Sequence, residues 1–248
     1  MISQPRREAK ILSMSWIRIA AAILIIFSFG IWTYRYYDAH QLITLSNQEQ
    51  ASQQYALPDG SKIWLKKGSS LSYEKGIADA SKREIALSGE AFFEVRHNSS
   101  SPFIITADQT TTQVLGTSFN VEQNGEEVIV SVMTGKVSFK GGSEAMILLP
   151  GEQAMFSKNQ TMQKRTFANT NFMFWKSGVL RFENEPLEKV LAALSEAYQV
   201  EFRIENSALA KQRITTNISR RPFTEIETLL ELLLDARIEK KQNVYVVN

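Results

Sequence analysis

The sequence predicts one N-terminal transmembrane helix, then an all-β domain built as a sandwich or a short β-solenoid, then a small α+β domain of two β-α-β units. Three observations carry this. An uncharged apolar run fills Ile19–Tyr34. Short segments rich in β-branched and aromatic residues, separated by turn residues, follow as far as Phe156. Two stripes of helical period, each flanked by strand-like runs, occupy the last third.

The run I-A-A-A-I-L-I-I-F-S-F-G-I-W-T-Y is slightly short for a span, which needs roughly 20 residues. Its flanks complete it. Arg18 and Arg35 can extend their charged heads to the two interfaces, and Trp16, Trp32 and Tyr34 sit where an aromatic belt belongs. Arg6, Arg7, Lys10 and Arg18 precede the span, whereas after Arg35 no Lys or Arg occurs until Lys62. That asymmetry puts the N-terminus in the cytoplasm and the rest of the chain outside. A cleaved signal peptide would need small residues at its cleavage site, and I-W-T-Y-R-Y-Y offers bulky ones. A buried core helix is the remaining alternative, against which stands the lack of a polar face.

Residues 38–54 are mostly polar and read as a tether. Strands are then expected at Ile63–Leu65, Glu84–Leu87, Ala91–Val95, Phe103–Thr106, Thr112–Leu115, Phe119–Val121, Val128–Met133, Lys136–Phe139 and Ile147–Leu149. Pro58-Asp59-Gly60, Ser88-Gly89, Asn124-Gly125 and Pro150-Gly151 are among the turns between them. Trp64, Phe92, Phe93 and Phe103 are expected in the core. Residues 158–171 are polar again and read as a linker. Beyond it, Pro186–Tyr198 and Pro222–Asp235 are helices with apolar stripes, flanked by strands at Val179–Phe182, Val200–Ile204, Arg213–Ile218, Ala236–Glu239 and Val244–Val247. The two helices repeat: Pro186 matches Pro222, Val190 matches Ile226 and Leu194 matches Leu230, each pair 36 positions apart. One sheet covered on one face by both helices is the expected packing, with sheet edges left open to a partner strand. The division is therefore 1–17 tail, 18–36 transmembrane helix, 37–54 tether, 55–157 β domain, 158–174 linker and 175–248 α+β domain.

Composition narrows the chemistry. The net charge of +2 does not point to nucleic acid. The absence of cysteine removes disulfides, thiolate metal sites and Cys nucleophiles, and His40 and His97 are the only imidazoles. Ser72-Tyr73-Glu74-Lys75 fits S-x-x-K without its companion motifs. Glu90 and Glu94 share a strand face but lack any other sign of glycoside chemistry. His97 falls in a turn-like, solvated segment. An enzyme is not expected, nor a cofactor or metal.

Several blocks resemble the FecR-like anti-sigma family: L-P-D-G-S-K-I-W-L-K-K-G-S-S-L-S-Y (57–73), R-E-I-A-L-S-G-E-A-F-F-E-V (83–95), V-L-G-T-S-F-N-V (114–121), M-T-G-K-V-S (133–138) and L-L-P-G-E-Q-A (148–154). G-V-L-R-F-E-N-E-P-L-E-K-V-L (178–191) resembles the small domain that follows in Bacteroidetes members, which is related to the short N-terminal domain of secretins and TonB-dependent transporters. The resemblance implies a single-pass inner-membrane regulator. Its periplasmic part would sense the signalling domain of a TonB-dependent transporter, and its cytoplasmic part would act on an extracytoplasmic-function sigma factor. Family members carry a helical cytoplasmic domain before the span, and Met1–Ser15 is too short to form one. Either the true start lies upstream or the chain keeps the sensor alone. The alternative is thus a periplasmic binding or scaffolding module that has lost sigma-factor control. In some members a Gly–Thr bond in the third block cleaves itself, which makes Gly116-Thr117 the one candidate bond here. A strand Thr after a bulge Gly is the plainer account of the same pair.

Overall fold

The computed structural model describes residues 14–157, 159, 161–242 and 244–248. All but the last residues of the expected cytoplasmic tail lie outside the described residues. Helix α1 (Met14–Ala39) contains a span-length apolar stretch, Arg18–Ala39, and the rest of the protein buries none of it. Its 22 residues reach about 33 Å at 1.5 Å per residue, against a hydrocarbon core of about 30 Å. A helix apolar on every side and uncovered by protein is matched to lipid.

Strands follow at once: β1 (Leu42–Asn47), β2 (Ser52–Ala56), β3 (Lys62–Lys66), β4 (Ser69–Glu74) and β5 (Arg83–Ser88). Next come β6 (Glu90–Glu94), β7 (Phe103–Ala107), β8 (Thr110–Val114), β9 (Ser118–Asn124) and β10 (Glu127–Thr134). The set ends with β11 (Val137–Gly141), β12 (Glu144–Leu148), β13 (Glu152–Phe156) and β14 (Met162–Thr166). They make two seven-stranded sheets, ordered β1-β4-β5-β7-β8-β11-β12 and β14-β13-β10-β9-β6-β3-β2. All pairs within the two sheets are antiparallel except β5 with β7, whose connection passes through β6 in the other sheet. Of the two architectures the sequence allowed, the sandwich is the one formed. Its core takes alternate residues from both sheets, as in β5, where Arg83, Ile85 and Leu87 point inward. Phe93 stacks on Phe119 with ring centres 5.3 Å apart, and Phe103 meets Phe93 edge-on at 6.2 Å. Each such ring contributes about 1.5–3 kcal/mol through burial.

The expected tether does not exist as an irregular segment: residues 37–54 form the end of α1, strand β1 and the start of β2. Ile43 and Leu45 pack on the sandwich core while Leu42 and Thr44 alternate outward, so one side of a polar-looking run is structural. The helix is fastened where it meets the sheet. The Gly76 N–H donates to Ala39 O at 2.8 Å, and the Lys75 N–H donates to Gln41 O at 2.8 Å. A Cβ on Gly76 would stand 3.0 Å from the Ala39 Cβ, so glycine permits this approach. Lys75 Nζ pairs with Asp38 at 2.7 Å, and His40 Nδ1 lies 2.7 Å from Glu74 Oε2.

Likewise the expected linker holds β14, an edge strand on β13, and a 3-10 turn at Asn171–Met173. The C-terminal domain contains α2 (Phe174–Ser177), β15 (Val179–Pro186), α3 (Leu187–Tyr198), β16 (Glu201–Ile204), α4 (Ser207–Ala210), β17 (Arg213–Ser219), α5 (Phe223–Leu234), β18 (Ile238–Lys241) and β19 (Val244–Val247). The 36-residue repeat is real in the helices. Pro186 and Pro222 cap α3 and α5, and each helix ends on a left-handed residue, Gln199 and Asp235. The single sheet is a correction. Antiparallel β15-β17 forms one ribbon, and β16-β19-β18 forms a second sheet in which β16 and β19 run parallel. Strands flanking the same helix do not pair, because β15 takes β17 as its neighbour.

One polar cluster locks the sandwich end nearest the helix. Arg83, buried in β5, gives Nη1 to Asp59 Oδ2 at 2.8 Å and Nη2 to Ser101 O at 2.7 Å, with its guanidinium 5.2 Å from the Phe103 ring centre. Asp59 also accepts from the Ser61 N–H and hydroxyl. Removing one member strands the other charge. Arg83→Met is expected to cost about 3–5 kcal/mol in denaturant melts of the detergent-solubilised chain, whereas Glu84→Gln, on an exposed position beside it, leaves the midpoint in place. An unchanged midpoint in Arg83→Met contradicts this account.

Candidate functional site

The outer face of the second sheet is covered, and that is where the two domains meet. Strand β6 is buried almost throughout, unlike the alternating β5, because Glu90 and Phe92 face the C-terminal domain while Ala91 and Phe93 face the core. The single turn α2 divides its side chains between the domains. Phe174 enters the C-terminal core, and Trp175 and Lys176 reach back onto the sandwich.

Glu90 is 4% exposed and saturated by donors. Its Oε1 accepts from Trp175 Nε1 at 2.7 Å and from Asn120 Nδ2 at 2.9 Å. Its Oε2 takes Lys66 Nζ at 2.6 Å. Burial works against the charge on Lys66, but the Glu90 carboxylate together with Glu122 and Glu196 outweighs it and holds the ammonium above its ordinary range. Beside this latch, Lys176 Nζ sits 4.2 Å from the Trp64 ring centre and 4.1 Å from that of Phe92. Burial pushes its ammonium below the usual lysine range, with Glu94 opposing. Arg220, at the end of β17, holds α2 from the other side by giving Nη2 to Phe174 O at 2.6 Å and Trp175 O at 2.9 Å. Trp64 and Phe92 are therefore seam residues rather than core, whereas Phe93 and Phe103 are core as expected.

Glu122 stands directly across from Glu90 on β9. Burial, then the Glu90 carboxylate, raises its pKa above the ordinary carboxylate range. Lys66 offsets this in part, and Glu196 of α3 adds to it. A cleft of about 840 Å³ opens beside these groups, lined by Lys66, Arg165, Phe167, Phe172, Lys189 and Glu196 among others.

The other sequence candidates lie apart from the seam. Trp16, Trp32 and Tyr34 are exposed on α1, as are Arg18 and Arg35. Ser72 and Lys75 do not form a pair, since Lys75 Nζ is held by Asp38. His97 is exposed, and its backbone packs on Gly116, where a Cβ would come within 2.6 Å of the His97 Cα. That supplies a steric reason for the glycine. Buried Thr117 donates its hydroxyl to Lys136 O at 3.1 Å. Sequence reasoning missed Glu90 as a latch and Trp175 as its donor. The signals were a carboxylate inside the apolar run of β6 and the cluster F-M-F-W (172–175) at the end of a segment read as linker.

The FecR protein family model matches residues 43–138, and the FecR C-terminal model matches residues 179–247. The chain belongs to the FecR family. Two solved crystal structures of a protein from Parabacteroides distasonis ATCC 8503, described as a candidate anti-sigma factor, share the fold. One is 27% identical over 83% of this chain and 98% of its own, with a TM-score of 0.57. The other is 28% identical over 84% and 98%, with a TM-score of 0.58. No curated protein matches the chain. Of the seam residues, Glu90 lies inside the first family segment and Trp175 just before the second.

Two outcomes follow from the seam. Trp175→Phe removes the indole donor and leaves buried Glu90 short of one partner. It is expected to cost about 1.5–3 kcal/mol and to speed proteolysis at the segment joining the domains, with the fold of each retained by circular dichroism. Glu122 holds its proton more tightly folded than unfolded, so its contribution to stability improves as pH falls through its raised pKa and is adverse above it. Glu122→Gln should therefore raise the melting temperature at neutral pH, with the gain vanishing below the ordinary carboxylate range. A gain that grows on acidification contradicts the assignment.

Proposed function

We propose that this chain is a single-span anti-sigma regulator with its N-terminus in the cytoplasm and its two domains in the periplasm. It receives a signal from the signalling domain of an outer-membrane TonB-dependent transporter and relays it to an extracytoplasmic-function sigma factor. The observation that carries the reading is the unbroken path of fixed joints. The C-terminal domain is latched to the sandwich through Trp175 and Glu90, and the sandwich is fastened to α1 through Gly76 and Ala39. Through these two joints a displacement of the outer domain would be passed to the membrane helix rather than taken up in a tether.

The family assignment and the likeness to a described anti-sigma factor support the regulator role. Trp16 and Arg18 at one end of the span, and Trp32, Tyr34 and Arg35 at the other, fit an interfacial belt for that topology. Orientation is tested by fusing a reporter active only outside the cytoplasm after Asn248; activity is expected, and silence overturns the topology.

Relay is tested with a sigma-dependent promoter in cells carrying the full-length chain and its transporter. Inserting four Gly/Ser residues between Ala39 and His40 is expected to uncouple inducer from transcription while the chain still co-purifies with the transporter domain. Normal induction through the inserted linker contradicts relay through a fixed joint.

A further inference from the structure

We propose that the helix-side end of the sandwich is itself a membrane-contacting surface, taking anionic phospholipid headgroups. The inference rests on the membrane-anchored reading and goes beyond it.

The strand register defines that end. The start of β1 adjoins the end of β4, through Leu42 and Glu74. The starts of β5 and β7 lie side by side, through Arg83 and Phe103. Phe103 stands against Val114 at the end of β8, Val114 against Val137 at the start of β11, and Val137 against Leu148 at the end of β12. All these termini share one rim with α1, which enters the sheet at Leu42. At the usual strand spacing of about 4.8 Å, the rim of this seven-stranded sheet is about 29 Å across.

Within the sandwich, exposed large apolar side chains are confined to this rim; elsewhere the span and Leu232 and Leu233 of α5 expose such groups. Among the described residues of the sandwich they are Leu42, Leu115, Ile147 and Leu149. Leu42 opens β1, Leu115 follows β8, Leu149 follows β12 and Ile147 is one residue inside it. The opposite end, with the turns at Gly89, Asp108, Gly125 and Gly142, carries none. Single exposed leucines are ordinary on a protein surface. Four at one end of a body, the end continuous with a lipid-embedded helix, need a common cause.

Charge at the same end selects the partner. Lys62, Lys82, Arg96 and Lys136 are exposed there and form no close ion pair among the described residues, although Lys62 stands across from Glu94 in the β3-β6 register. Two carboxylates at this end are paired with cations, Asp59 with Arg83 and Glu152 with Lys164, and Glu74 lies 2.7 Å from His40 Nδ1. Asp79, Glu84 and Glu94 remain, against those four cations, and Glu94 faces Lys176. Leucine side chains beside unpaired cations are the composition that suits the boundary between acyl chains and anionic headgroups. The fixed joint at Ala39 and Gly76 supplies the placement, because the rim next to β1 cannot move away from the end of the span.

The chain contains no cysteine, so single labels are clean. The full chain carrying Leu149→Cys, Leu115→Cys, Ser143→Cys or Ile25→Cys is labelled with bimane. Each is placed in vesicles of phosphatidylethanolamine with or without phosphatidylglycerol, containing a headgroup nitroxide or an acyl-chain nitroxide. Probes at 149 and 115 are expected to be quenched by the headgroup nitroxide several-fold more than the probe at 143, and only when phosphatidylglycerol is present. Lys82→Glu with Lys136→Glu should bring them to the level of 143 with circular dichroism unchanged. Rim quenching equal to that at 143, or independent of phosphatidylglycerol, overturns the proposal. In either case quenching of the probe at 25 by the acyl-chain nitroxide shows that the anchor reading stands, and its absence shows that the anchor reading itself has failed.

Discussion

The arrangement of the two domains depends on one buried carboxylate. Glu90 lies on the outer face of a sheet, where a charged side chain would ordinarily be solvated, yet the C-terminal domain covers it. A charge removed from water is tolerated only when its lone pairs are taken up, and Lys66, Asn120 and Trp175 do so. Two of those donors belong to the sandwich. The third comes from the other domain, so the carboxylate is fully paired only when the domains are docked. That condition makes docking specific. An apolar seam would permit sliding, whereas the indole N–H meets Oε1 in one position.

The same logic governs the other end of the sandwich. The buried pair of Asp59 and Arg83 fixes the loops below β3 and β5, and the β4–β5 connection carries Gly76 to the last turn of α1. Exposed pairs such as Lys75 with Asp38 add little energy in water. Their value here is directional, because they accompany two backbone bonds that make the helix an extension of the β1-β4 ladder. Contacts thus run without a gap from the C-terminal domain through the sandwich to the last turn of α1.

The parts legible in the sequence were those set by local periodicity. The helices at Leu187–Tyr198 and Phe223–Leu234 follow from their apolar stripes and their 36-residue repeat. Strands such as β7 and β10 follow from β-branched runs bounded by turns. Strands β1 and β14 are hard to see in sequence because both lie at sheet edges, where L-I-T-L-S-N carries Leu42 on its outward side and M-Q-K-R-T is almost wholly polar, so neither alternates cleanly. The sheet assignments of the C-terminal domain depend on which strands find each other in space, and hydrophobic period does not encode that. The seam was illegible for the same reason. Trp175 and Glu90 are 85 positions apart, and nothing local to either residue names the other.

The central claim is that the domains are held in one orientation by that carboxylate. Electron–electron dipolar spectroscopy on the membrane-reconstituted chain, with nitroxides at Ser143→Cys on the sandwich and Leu232→Cys on the exposed side of α5, reads it directly. A single narrow distance distribution is predicted, and Glu90→Gln should broaden it. A broad distribution in the unaltered seam, or one indifferent to Glu90→Gln, contradicts the account.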